Sequence, residues 1–232
     1  MELFDTEIEE VLSLLSSTNK KELPITNIFL EDVGKNNMIF SDEMAYELGG
    51  CMCDSLSFEL SSSKYIEEDK LYLIGKDINE INEDTSFSRI TLLNVKDEDL
   101  KGDALYDEIE KIKLTKYRVS PKGYMLRTST GDKEKVRISK ELGKNGSFST
   151  IGSMYLHAYH QLPFVRNVQI IFITNDTLQK EFKMIAHKRK DIVETIDHIL
   201  KGMLINDCNA CSVKELCDEV EGLRQIHKNS NL

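Results

Sequence analysis

Val168-Gln-Ile-Ile-Phe-Ile-Thr174, followed directly by Asn175-Asp-Thr-Leu-Gln179, decides how the rest of the chain is read. After Gln169 the run has no polar alternation, so it reads as a strand buried on both faces at the centre of a sheet. Asp176 followed by Gln179 has the spacing of a capping box, in which two orphan amide donors are satisfied reciprocally, and it predicts a long helix to about Gly202. A buried strand feeding a long helix belongs to a layered α/β domain.

Upstream, strand-like runs at residues 25–30, 71–74, 89–95 and 136–139 alternate with helical stretches at residues 100–117 and 149–161. Leu105, Ile109 and Ile112 mark the inner face of the first helix, and Pro163 stops the second. At the start of the chain Ile8, Val11, Leu12 and Leu15 have helical spacing, and a polar stretch beginning at Ser16 ends that helix. The expected architecture is an α/β fold, a layered mixed sheet with flanking helices. It divides into an N-terminal docking helix and linker at residues 1–22, the α/β domain at 23–205 and a cysteine-bearing helical tail at 206–232. No internal repeat is present.

Composition narrows the function. The 232 residues, 40% of them hydrophobic, suffice for a proper core. A net charge of -10 repels phosphate backbones and anionic lipid surfaces, and the basic residues His187, Lys188, Arg189 and Lys190 would point in different directions on a helix. Nucleic acid and membranes are therefore excluded as expected partners. With no spanning apolar run and no signal-peptide pattern, the expected location is the cytoplasm. No G-x-S-x-G, P-loop or G-x-G-x-x-G pattern appears, which removes the common hydrolase, nucleotidase and dinucleotide readings.

Several segments in register carry a resemblance. Met44-Ala-Tyr-Glu-Leu-Gly-Gly50, Leu71-Tyr-Leu-Ile-Gly-Lys-Asp77, Val136-Arg-Ile-Ser-Lys140 and the strand and cap from Val168 to Asp176 resemble, in order and spacing, the middle domain of the acetyl-CoA synthase subunit of the carbon monoxide dehydrogenase/acetyl-CoA synthase complex. The resemblance covers roughly residues 23–195. It implies anaerobic one-carbon metabolism, a protein partner and a face toward coenzyme A, on which Arg137 and Asp132 match the family pattern. The family's tryptophan on that face has no counterpart here, and Gly131 and Lys135 hold the neighbouring positions. In the family, the domain bearing the nickel and iron–sulfur cluster follows the middle domain, and this sequence is expected to lack it. Catalytic residues are left unassigned.

The five cysteines fall into two groups, Cys51 with Cys53 and Cys208 with Cys211 and Cys217. In a cytosolic chain such grouping favours metal over disulfides. The C-x2-C spacing lets two thiolates reach one metal from a tight turn, and Cys217 adds a third. An iron–sulfur cluster, a 4Fe-4S cubane, is the first reading, with the fourth ligand from Cys51, Cys53, a partner or a small molecule. Zinc, with His227 as fourth ligand at a longer spacing than usual, and unmetallated thiols are the alternatives. A helix expected to begin near Asp218 would set its positive end beside the anionic centre. The C-x-C pair could hold nickel through thiolates and amides, but in the family that motif lies in the following domain, so nickel is disfavoured. His157 and His160 read as helix-surface residues, and His187 and His198 as solvated or core-edge side chains. The expected function is that of an acetyl-CoA-synthase-related iron–sulfur component that depends on a partner, with a non-catalytic zinc- or cluster-binding module as the alternative.

Overall fold

A computed structural model of the chain describes residues 3–27, 44–50, 53–96, 104–175, 178–204, 207–220 and 222–230. In chain order its elements are α1 (Asp5–Ser16), β1 (Lys21–Leu23), β2 (Ala45–Leu48), β3 (Ser55–Ser62), β4 (Lys70–Ile74), β5 (Phe87–Val95), α2 (Ala104–Leu114), β6 (Tyr124–Thr130), β7 (Lys133–Ser139), α3 (Leu142–Asn145), α4 (Phe148–His160), β8 (Val165–Ile173), α5 (Gln179–Leu200), α6 (Lys214–Glu219) and α7 (Leu223–Ser230). The fold is mixed α/β, as the sequence predicts.

Five strands form the main sheet in the order β1-β4-β8-β5-β3, and three form a second sheet in the order β2-β7-β6. The apolar run at residues 168–174 is the heart of β8, the middle strand, and Ile170, Ile171, Phe172 and Ile173 are fully enclosed. β4 runs parallel to β8 and β3 parallel to β5, whereas β5 is antiparallel to β8. Helix α4 lies across β4 and β8, where Phe148 stacks on Phe172 and Phe87. Gly152 permits that close crossing, since a Cβ there would stand 2.7 Å from Leu71 Cδ2 and 3.1 Å from Phe172 Cε2. The second sheet packs through β7 on β3 and β5, while α1, α2 and α5 pack against β3.

The sequence-predicted strands at residues 71–74, 89–95, 136–139 and 168–174 and the helices at 5–16, 100–117 and 149–161 all find their elements. The first strand is displaced. β1 precedes Pro24 and pairs with β4 through Leu23, while Ile25 is exposed and residues 28–30 lie outside the described residues. Helix α5 begins at Gln179 with no side-chain cap from Leu178, and Asp176 of the expected capping box lies outside the described residues. Strands β2, β3 and β6 escaped the sequence reading. Among the described residues no helix is long and apolar enough to cross a membrane.

Gly152→Val should lower unfolding stability by about 1–3 kcal/mol, the usual cost of overpacking a filled core. Met184→Ala, at an exposed position on the neighbouring layer, should stay within about 0.5 kcal/mol of the parent. Urea denaturation of the two variants beside the parent measures both.

Candidate functional site

The most heavily charged interior point is Arg89. Parallel pairing sets Ser57 of β3 beside Arg89 of β5 and Glu59 beside Thr91, so polar side chains collect on one face of the sheet. Arg89 donates from Nε and Nη2 to the two carboxylate oxygens of Glu134 on β7, at 2.9 and 2.7 Å. It donates further to Ser57 Oγ at 2.9 Å, Glu59 Oε1 at 3.2 Å and Thr91 Oγ1 at 2.8 Å. The guanidinium also lies 4.7 Å from the Tyr155 ring centroid of α4. Arg189 of α5 approaches Glu59 at 3.9 Å, so two carboxylates are balanced by two guanidinium groups.

Burial alone would push the Glu134 carboxyl above the usual range, but the adjoining Arg89 charge and its hydrogen bonds hold it below. Burial raises the phenols of Tyr124, Tyr155 and Tyr159. Arg89 and Glu134 have no exposed surface, so this cluster joins layers and receives no substrate. Sequence reasoning missed it, because an arginine at the head of an apolar run reads as a strand's polar edge.

A second cluster contains Arg137. Its guanidinium is nearly enclosed and grips Glu47 Oε1 of β2 from Nε at 2.6 Å and Nη2 at 2.5 Å. Arg127 of β6 donates to the same oxygen at 2.6 Å and remains 45% exposed. Arg137 thus holds the second sheet together, and Arg127, which the sequence reading overlooked, presents the accessible guanidinium on that sheet. Asp132, the other matched residue, borders a cleft of about 190 Å³ with Gly131, Ser57, Tyr106 and Arg189.

Cys53 follows the Gly49–Gly50 turn, where Gly49 has φ +67, and its amide donates to the Gly50 carbonyl at 2.9 Å. Its neighbour Asp54 pairs with Lys183 of α5 at 3.0 Å. Cys51 lies outside the described residues. The histidines keep the bland reading: His160 meets Asp69 at 2.8 Å, His157 contacts Gln161, and His187 is exposed near Asp191.

The tail brings its three cysteines into one neighbourhood. Asp207 turns the chain, its carboxylate accepting from the Asn209 amide at 2.9 Å, and so places Cys208 and Cys211 around a tight bend. Cys208 is exposed and Cys211 half-buried. The half-buried Cys217 packs against the hydrophobic core, and burial, then the nearby Cys211, pushes its thiol up. The helix expected near Asp218 begins instead at Lys214, so Cys217 falls in its last turn, away from the positive end.

The donor chemistry suits a soft, thiophilic metal. Among the described residues, however, no three His, Cys, Asp or Glu side chains converge as a ready-made ligand set. The tail docks through Val220 and Leu223, both buried, with Gly222 at φ +96 turning between α6 and α7. Lys188 of α5 approaches Glu219 at 3.9 Å and the enclosed Glu7 of α1 at 3.3 Å.

With this geometry described, comparison with known proteins adds one relation. The model of the CO dehydrogenase/acetyl-CoA synthase complex beta subunit family matches residues 33–178. No curated protein matches the chain.

Arg89→Met should destabilise the protein by about 3–5 kcal/mol, because Glu134 is left charged in an enclosed site, and Glu134→Gln on top of it should restore part of the loss. The pH dependence has a defined sign. Glu134 sits below its usual value near 4.5, so its contribution is present above that pH and is lost as pH falls through the depressed value. Urea unfolding between neutral and acid pH should show this acid loss in the parent, diminished in Arg89→Met.

Proposed function

The chain belongs to the family of the CO dehydrogenase/acetyl-CoA synthase complex beta subunit, and from that premise we propose that it is a partner-dependent component of anaerobic acetyl-CoA metabolism with a metal site of its own. The matched residues take in β2 through β8, and on this reading they correspond to the middle domain of the acetyl-CoA synthase subunit. One observation carries the proposal: the match stops at residue 178, whereas the three neighbouring thiols stand beyond it on a separately docked tail. The α/β body supplies the family's docking scaffold, and the tail supplies the thiols.

Cys208, Cys211 and Cys217 would hold the metal, an iron–sulfur cluster in the preferred reading, with a fourth ligand from Cys51, Cys53, a partner or a small molecule. A bound cluster would supply electron transfer or Lewis acidity. Arg127, braced by Glu47 and Arg137, is the group that would meet a partner or coenzyme A on the second sheet. The enclosed Arg137 acts there by holding Glu47 in place. Zinc is the alternative metal, and with it the chain would be a non-catalytic module.

Iron, sulfide, zinc and nickel are to be measured on protein purified without oxygen. About four irons and four sulfides per chain are expected. Stoichiometric zinc would replace the cluster reading with the zinc one, and a metal-free chain that also fails reconstitution would remove the site. Serine at Cys208, Cys211 or Cys217 should abolish metal binding with near-unchanged helix content by circular dichroism. The metal-loaded chain alone should form no acetyl-CoA from a methyl donor, carbon monoxide and coenzyme A, and turnover without a partner would contradict partner dependence.

A further inference from the structure

The side chain of Cys217 packs against the core, and no three ligand-type side chains converge around the tail thiols among the described residues. The three thiols must rearrange to converge on one cation, and of them Cys217 is the one packed against the core. It sits on the six-residue α6, whose last residue, Glu219, lies near Lys188 and whose C-cap, Val220, is buried. A helix this short turns as a unit, so moving Cys217 also moves Glu219 and pulls on Val220. Beyond the Gly222 turn, Leu223 is fully enclosed, and Leu3 stands 3.7 Å from where a Gly222 Cβ would be.

Lys188 is the pivot. It stands 3.3 Å from Glu7, which is 1% exposed on α1, and 3.9 Å from Glu219 on α6. One ammonium group on α5 therefore joins the first helix of the chain to the tail. Lys188 thus faces an enclosed carboxyl on α1 and the exposed Glu219 on α6, and the second contact biases α6 toward the seated position.

We propose that the seated tail is a latch that competes with metal loading: the Lys188–Glu219 contact and the Leu223 socket hold α6 so that Cys217 is withheld, and a thiophilic cation is bound by the three thiols only as α6 comes away. This rests on the tail-metal reading given above and adds its regulation. Because linkage is reciprocal, whatever weakens seating must strengthen cation binding, and a bound cation must loosen the seat.

The test uses the full chain, with zinc alone as the probe ion and maleimide labelling of Cys217 as a second readout that needs no metal. Glu219→Gln, at an exposed side chain, removes a contact of the strength of a surface ion pair. It should tighten zinc about two- to fivefold and speed Cys217 labelling to a similar degree. Leu223→Ala empties the socket and should do both by about tenfold or more, because truncating a fully enclosed leucine removes far more docking than a surface ion pair supplies. Circular dichroism would verify that the α/β body remains folded in each variant.

Weaker zinc binding in either variant, or no change in both readouts, overturns the latch while leaving the metal reading in place. Faster labelling in variants that bind no zinc, with a parent that binds none, supports the withholding of Cys217 and removes its link to metal. Faster labelling with tighter zinc supports the whole proposal.

Discussion

The bidentate contact between Arg89 and Glu134 constrains everything around it. Neither group has exposed surface, and moving an ion from water into such a site costs several kcal/mol even after relaxation. The cost is tolerable only while the partners stay aligned, so β5, which carries the guanidinium, and β7, which carries the carboxylate, must keep their relative position. Ser57 and Glu59 bring β3 into the same arrangement, and the Tyr155 ring closes it from α4. A purely apolar contact between two sheets can slide. This one has direction, and it fixes where the second sheet stands.

The consequences reach the functional reading through position. With β7 fixed, Arg137 and Glu47 fix β2, and Arg127 is held at the accessible side of the same group. Those strands lie inside the stretch that matches the CO dehydrogenase/acetyl-CoA synthase complex beta subunit family. The tail contrasts with this body. Among the described residues its buried apolar contacts are Leu223 and Val220, with Leu216, Cys217 and Ile226 partly buried beside them and one exposed ion pair, a set that opens at less cost than the Arg89 cluster.

Much of the fold was legible in the sequence because hydrophobic pattern reports burial directly. The run at residues 168–174 announced the central strand, and the spacing of Ile8, Val11 and Leu15 announced α1 to the residue. Strand β3 shows where pattern misleads. Its serines and glutamate alternate with leucine and phenylalanine, which reads as one wet face, yet all eight residues are buried because the polar face meets Arg89. The partner that explains the alternation, Glu134, lies 45 residues from Arg89, and local patterns carry no signal at that range. The cysteine grouping was legible, since spacing is local. The placement of α6 was not, because its start at Lys214 follows Val213, which offers no side-chain cap for a local pattern to announce.

Native-state hydrogen exchange of the intact chain, followed by mass spectrometry of its peptides, tests most directly whether a directional interior contact makes two sheets one unit. Amides of β3, β5, β7 and β8 should exchange together and at the slowest rate, through global opening, while residues 207–230 exchange earlier through local release of the tail. Exchange of β6 and β7 well ahead of β5 and β8 would contradict the account, because it would show that the Arg89 cluster does not bind the second sheet to the first.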